Sequence, residues 1–154
     1  MLFDPKHDLP LGRLEAQLRS ARAPTAGLLS DVIAEARDSF PEGKMTAKLR
    51  INRLVAAGAW TDAALALVEL ELPQWSLRRI VYEDGEWHCC LSRQLQLPLG
   101  LDEAAEASHE ILALAILLAY LQARLHAAES ATAVTTVPRI GPTPDYAMCC
   151  DNFA

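Results

Sequence analysis

The sequence has none of the short motifs that identify common small enzymes and cofactor-binding domains. A glycine-rich phosphate loop, a GxSxG nucleophile elbow, a DxDxDG calcium loop and a HExxH zinc pair are all missing. The four cysteines, Cys89, Cys90, Cys149 and Cys150, form two adjacent pairs and lack the CxxC spacing of zinc knuckles and thioredoxin-like sites. We therefore predict no cofactor and no catalytic residue of a familiar class, and we favour a non-enzymatic role.

Targeting and membrane signals are equally scarce. The first ten residues, MLFDPKHDLP, have neither the apolar stretch nor the small-residue cleavage site of a signal peptide. The most apolar run, residues 111–123, has 13 residues without a charge, fewer than the roughly 20 that a membrane span needs. We expect a cytoplasmic protein with no membrane partner, whose cysteines stay reduced.

The composition is that of an ordinary folded domain. Hydrophobic residues make up 51% and charged residues 22% of the 154 residues, which is enough apolar material for one buried core. The net charge of -6 repels a phosphate backbone, so binding to nucleic acid would need a local basic patch. No repeat or linker divides the chain, and we predict one compact domain over residues 1–128, followed by an extended tail over residues 129–154.

Apolar residues recur at helical spacing through the first half of the chain. The predicted helices cover residues 11–22, 25–40, 45–57 and 62–72. Pro24 ends the first helix, because proline cannot continue it. Gly58 suits the C-terminal cap of the third helix, and Thr61 is the expected N-cap of the fourth.

The pair Asp84-Gly85 predicts a β-hairpin between strands over residues 75–83 and 86–97. A two-residue type I′ turn needs a positive φ at both central positions, which Asp-Gly tolerates well. The turn fixes the register. The predicted pairs are Tyr82 with Trp87, Ile80 with Cys89, Arg78 with Leu91, Val81 with His88, and Arg79 with Cys90.

A long helix is predicted over residues 102–128, with Asp102 as its N-cap. Residues 111–121 are apolar nearly all round that helix, so it should be the central core element. The β-branched segment 132–137 predicts a further strand beside the hairpin. The fold class is therefore α+β, with N-terminal helices, a small antiparallel sheet around Asp84-Gly85 and one long apolar C-terminal core helix.

The run His88-Cys89-Cys90 is the most suggestive chemistry in the sequence. Successive side chains of a strand point to opposite faces, so Cys89 is expected to point away from His88 and Cys90. We interpret Cys89 as a small buried hydrophobe, which free cysteine commonly is. The run then fills a strand and does not gather around one ion.

A thiol- or metal-dependent enzyme is the alternative for the same run. A metal would have to be bound by His88 and Cys90 together with further ligands from elsewhere in the chain. The candidates for those ligands are His109, Cys149 and Cys150. A Cys90 nucleophile would instead need Arg79, across the hairpin, to lower its pKa.

Residues 43–60, GKMTAKLRINRLVAAGAW, resemble the recognition helix of a winged helix-turn-helix, because a basic helix ends in a Leu-Val-x-x-Gly phrase. The resemblance implies a DNA-binding regulator that uses the helix 44–57, with Lys48, Arg50 and Arg53 as nucleic-acid contacts. On a helical wheel, however, Lys48 lies across the helix from the two arginines. The chain after Trp60 also shows a helical pattern where this family has its wing.

Residues 56–73, AAGAWTDAALALVELELP, resemble the turn and second helix of a tetratricopeptide unit. Gly58, Trp60, Ala63 and Pro73 carry the resemblance. A solenoid needs about three such units and one is visible, so we interpret the segment as part of a helical hairpin.

The leading functional hypothesis is a non-catalytic intracellular protein-interaction or accessory protein, which binds a protein partner or a second copy of itself as a homodimer. The reason for this hypothesis is surplus apolar surface, because a small sheet covers only part of a helix that is apolar on all faces. The DNA-binding regulator and the thiol- or metal-dependent enzyme are the alternatives.

Overall fold

The fold is built from five helices and a three-stranded sheet, in a computed structural model that describes residues 5–36, 43–98 and 100–133. The helices are α1 Pro5–Ser20, α2 Ala26–Ala36, α3 Met45–Ala56, α4 Trp60–Glu71 and α5 Leu112–Ala133. The strands are β1 Ser76–Glu83, β2 Glu86–Ser92 and β3 Ala104–His109. The α+β fold class predicted from the sequence is confirmed.

Four N-terminal helices are present, as the apolar spacing predicts, but α1 begins at Pro5, six residues before the predicted start, and ends at Ser20. Thr25 is the N-cap of α2, since its hydroxyl accepts a hydrogen bond from the Leu28 backbone N–H at 3.2 Å. The prediction that Thr61 caps α4 is wrong. Helix α4 begins one residue earlier, at Trp60, and the Ala59 that precedes it makes no side-chain cap.

A Schellman turn joins α3 to α4. Gly58 has a φ of 71°, in the left-handed region that favours glycine. Its backbone N–H donates to the Val55 carbonyl at 3.1 Å, and the Ala59 N–H donates to the Leu54 carbonyl at 2.9 Å. The predicted C-terminal cap at Gly58 is therefore confirmed.

The hairpin has the predicted turn and most of the predicted register. Asp84 and Gly85 both have positive φ, 54° and 86°. The pairs from Arg79 to Glu83 with their partners on β2 agree with the prediction. The pairing of Arg78 with Leu91 is wrong, because a β-bulge at Arg78 brings Leu77 opposite Leu91.

The segment predicted as the start of the long helix is instead the third strand. Strand β3 pairs antiparallel with β2, so that the strand order is β1-β2-β3. Ala105 of this strand is buried and the adjacent Glu106 is exposed, because successive side chains of a strand point to opposite faces. Asp102 is not a helix N-cap; its carboxylate accepts hydrogen bonds from Arg78 and Ser92.

Helix α5 begins at Leu112 and continues to Ala133, so the first residues of the predicted extended tail are helical. Thr132 and Ala133, which the sequence assigns to a strand, end this helix. Residues 134–137 of that predicted strand lie outside the described residues.

Helix α5 is the central core element, as predicted. Residues 113–121 and Ala123 are buried, and α1, α4, β2 and β3 all pack against them. Over Leu112–Ala131 the helix meets the length and apolarity of a membrane span, but 56% of that window is buried inside the protein, and the core helix of a soluble protein meets the same test. Residues 113–121 leave no open face, so they supply none of the surplus apolar surface on which the predicted protein-interaction role rests.

Candidate functional site

The sheet has one face against α5 and one polar face. The polar sheet face carries His88 and Cys90 from β2, Glu106 and Ser108 from β3, and Arg79 from β1. Register places Arg79, Cys90 and Glu106 in one row across the three strands, and His88 beside Ser108 in the next row. These side chains, with Arg19 from the end of α1, line a cleft of about 290 Å³.

The predicted thiol and imidazole residues are divided between the two sides of the sheet. His88 and Cys90 share the polar sheet face, whereas Cys89 is 1% exposed and packs in the core. His109 lies opposite Trp87 at the end of β3, and its Nδ1 accepts the backbone N–H of Ile111 at 3.0 Å. Cys149 and Cys150 lie outside the described residues. Within the described part of the chain, no three histidine, cysteine or acidic side chains lie close enough to hold a metal ion.

The Cys90 thiol is protonated at neutral pH. Burial, followed by the negative charge of Glu106, raises the pKa of Cys90 to about 11. The positive charge of Arg78 lowers it, but by less. Arg79 lies opposite Cys90 on β1, but the pKa of the thiol is raised and not lowered, so the site does not supply the thiolate that a cysteine nucleophile needs.

The predicted nucleic-acid residues lie on α3, and the structure adds two apolar neighbours to them. Met45 is 71% exposed and Leu49 51% exposed, one helical turn apart. Arg50 and Arg53 are also exposed and flank this pair. We refer to these four residues as the α3 outer face. Lys48 lies on the other flank and is half-buried.

No acidic residue occurs from Gly43 to Thr61, so the segment that carries the α3 outer face has only basic charges, in a protein with a net charge of -6. The sequence reveals the basic residues, but it does not identify the exposed apolar pair. Which methionines and leucines of a short amphipathic helix remain exposed depends on the elements that pack against it, and these come from distant parts of the chain.

The winged helix-turn-helix resemblance is not supported by the order of the elements. The hairpin follows α4 and not the basic α3. Helix α4 has six buried residues and three acidic ones, so it cannot enter a DNA groove in place of α3.

Two buried polar clusters tie distant elements together, and neither has a local sequence signal. The Arg78 guanidinium donates to Asp102 at 2.7 Å, which fastens the loop after β2 to β1. The pKa of Asp102 is lowered below its ordinary value. The hydrogen bond from Ser92 has the largest effect, and the hydrogen bond from the Gln94 backbone and the interaction with Arg78 act in the same direction.

The second cluster joins α4 to α5. The Tyr120 hydroxyl donates to Glu71, whose carboxyl is buried and lies 3.8 Å from the Arg124 guanidinium. Burial raises the pKa of Glu71, although the Tyr120 hydrogen bond and the Arg124 charge act in the opposite direction. Its Oε1 has no hydrogen-bond partner among the described residues. Neither cluster lines the cleft on the polar sheet face.

Comparison with known proteins gives no relative for the chain: no family model, no curated protein and no solved structure matches it.

Proposed function

We propose that the protein is a non-catalytic protein-interaction module, and that the α3 outer face binds an acidic amphipathic segment of a partner protein. The observation that carries the proposal is the side-by-side exposure of Met45 and Leu49 on a helix without acidic residues. Two large apolar side chains one turn apart match the anchor spacing by which a partner helix docks in a groove or on a helix face.

The apolar pair favours a protein partner over nucleic acid. DNA binding draws its affinity from phosphate contacts, which use cations and gain little from a central methionine and leucine. Methionine is flexible and polarisable and is common in surfaces that accept apolar partner side chains. A partner that offers leucines or phenylalanines would bury Met45 and Leu49 together.

The positive charges beside Met45 and Leu49 favour a partner segment with negative charge. Arg50 and Arg53 flank Met45 and Leu49, and acidic side chains beside the partner's apolar anchors would pair with them. A second copy of this chain is a poor partner for this surface, because two α3 outer faces would bring four arginines together.

Fluorescence anisotropy with a labelled peptide tests the proposal. The probe is a designed amphipathic helix with leucines at i, i+3, i+4 and i+7 and glutamates elsewhere; a scrambled peptide of the same composition is the control probe. We expect Met45→Ser/Leu49→Ser and Arg50→Glu/Arg53→Glu each to weaken binding by about tenfold or more. The first double variant removes apolar contacts with the peptide, and the second removes charged contacts with it. Arg13→Glu/Arg22→Glu, which leaves α3 intact, should bind like the wild type.

Duplex DNA is the competing probe. The DNA-binding regulator would be favoured, and the proposal overturned, if the protein bound duplex DNA with a steep dependence on salt. In that case Arg50→Glu/Arg53→Glu would abolish the binding, and Met45→Ser/Leu49→Ser would leave it unchanged. Equal binding of the ordered and the scrambled peptide would also overturn it, because it would show charge attraction without a docking site.

A further inference from the structure

Among the described residues, strand β1 has a free outer edge. The strand order is β1-β2-β3, so one side of β1 pairs with β2, and no strand of the described part of the chain lies on its other side. Helix α5 packs against β2 and β3, while β1 has β2 as its main neighbour. Among the described residues, no backbone hydrogen bond outside the sheet uses a residue of β1.

The hairpin geometry identifies the backbone groups that point outward. In a two-residue hairpin, Glu83 and Glu86 form the hydrogen-bonded pair next to the turn, so that Tyr82 and Ile80 belong to the non-hydrogen-bonded pairs. The N–H and C=O groups of Ile80 and Tyr82 therefore point away from β2. An exposed edge of this kind is a template for pairing with another strand.

The sequence along this edge is complementary to itself when it is reversed. The segment Arg79-Ile80-Val81-Tyr82-Glu83 has a positive residue at one end, three apolar residues, and a negative residue at the other end. If two copies lie antiparallel with Val81 opposite Val81, Arg79 of each copy faces Glu83 of the other, and Ile80 faces Tyr82.

This register also satisfies the backbone. It makes Ile80 and Tyr82 the hydrogen-bonded pair between copies, and these are the residues whose free groups point outward. A shift of the register by two residues in either direction keeps the hydrogen bonds but places Arg79 opposite Val81 or Glu83 opposite Val81. The register with Val81 opposite Val81 is therefore the one that forms the backbone hydrogen bonds, the apolar contacts and two symmetric ion pairs together.

We propose that the protein forms a homodimer in which the β1 strands of two copies pair antiparallel about Val81, which joins their sheets into one of six strands. The exposures agree with this: Tyr82 is 57% exposed, and both Arg79 and Glu83 are exposed. Within the described residues, Arg79 and Glu83 have no ion-pair partner in the single chain.

The pairing is limited in length and closes on itself. The bulge at Arg78 interrupts the strand on one side, and the turn at Asp84 ends it on the other, so that about five residues of each copy pair. Because the same edge is used by both copies about a two-fold axis, no β1 edge is left over for a third chain. The charge pattern distinguishes a second copy from a strand of arbitrary sequence, which would leave Arg79 or Glu83 unpaired.

A charge exchange tests the proposed dimer. Sedimentation equilibrium over a wide range of protein concentration should show a monomer–dimer equilibrium for the wild type. Arg79→Glu should place two glutamates opposite each other at both ends and weaken the dimer by about tenfold or more, and Glu83→Arg should do the same with arginines. The double variant Arg79→Glu/Glu83→Arg restores both pairs and should recover most of the affinity. Arg22→Glu is the control for a change of net charge, and circular dichroism verifies that each variant folds.

A cysteine cross-link tests the register independently. Val81→Cys, in a chain with Cys149→Ser/Cys150→Ser, should form a disulfide-linked dimer under mild oxidation, since directly opposed residues of a non-hydrogen-bonded pair have Cα atoms about 4.5 Å apart. Arg79→Cys in the same chain should cross-link far less, because its two copies lie several residues apart along the strands. Any one of three results would overturn the proposal. The wild type could stay monomeric at all concentrations, the double variant could fail to recover the affinity, or the two cysteine positions could cross-link equally.

Discussion

Cys89 and Cys90 are adjacent in the chain and lie on opposite faces of the sheet. Cys89 is 1% exposed in the core, and Cys90 is 4% exposed on the polar sheet face. Burial raises the pKa of Cys89 to about 12 and that of Cys90 to about 11. Neither thiol is a thiolate at neutral pH, which is the form that reacts with disulfides and alkylating agents.

Slow thiol chemistry is therefore the first prediction. At pH 8, a thiol with a pKa near 11 has about 100-fold less thiolate than one near 9, so the native protein should react with a disulfide reagent roughly 100-fold more slowly than the unfolded chain. The measurement uses the Cys149→Ser/Cys150→Ser variant, in which Cys89 and Cys90 are the remaining thiols. A native thiol that reacts as fast as in urea would contradict this prediction, and one that reacts faster than in urea would point to an activated cysteine and support the enzyme hypothesis.

The turn between α3 and α4 gives the second prediction. Gly58→Ala should lower the free energy of unfolding by about 1–2 kcal/mol, because the residue would have to keep a left-handed φ of 71°. A Cβ at this position would lie 4.0 Å from the nearest Trp60 ring carbon, which is ordinary contact, so the expected loss comes from the backbone.

Urea unfolding measures this loss, and Gly27→Ala is its control. Gly27 lies in α2 with ordinary helical geometry, and alanine there should be neutral or stabilising by up to about 1 kcal/mol. If Gly58→Ala unfolds at the same urea concentration as the wild type, the Schellman turn does not hold the α3–α4 hairpin in the way described.

Local patterns in the sequence predict the helices and the hairpin, because each depends on neighbours a few residues apart. The stripe of apolar residues specifies each helix, and the Asp84-Gly85 turn specifies the register as far as Arg79. The prediction fails at Arg78, where the bulge accompanies an ion pair with Asp102, 24 residues away. A contact across that distance leaves no trace in the spacing of either residue.

Local patterns also fail to predict the third strand, Ala104–His109, for a related reason. Asp102 and the glutamates after it have the charge pattern of a helix N-terminus, and alanines are good helix formers. What makes residues 104–109 a strand is the open edge of β2, which needs a partner for its backbone groups. Tertiary pairing here overrides local propensity. The self-complementary Arg79 to Glu83 segment is visible in the sequence, but its meaning depends on β1 being an edge.

The buried carboxyl of Glu71 gives the third prediction, a dependence of stability on pH. Burial raises the pKa of Glu71 in the folded protein above its ordinary value of 4.5. The folded state then binds the proton more tightly than the unfolded state. The stability that this proton supplies is complete below about pH 4.5 and is lost as the pH rises through the raised pKa.

Replacing the carboxyl by an amide removes this dependence. Glu71→Gln keeps an acceptor for the Tyr120 hydroxyl and cannot ionise, so its free energy of unfolding should increase relative to the wild type as the pH rises from about 4.5 to about 7.5. Urea unfolding at several pH values measures the difference, and Glu69→Gln, an exposed neighbour on α4, should follow the wild type. If Glu71→Gln instead becomes less stable relative to the wild type as the pH rises, the attraction between ionised Glu71 and Arg124 outweighs the cost of burial, and an ion pair joins α4 to α5.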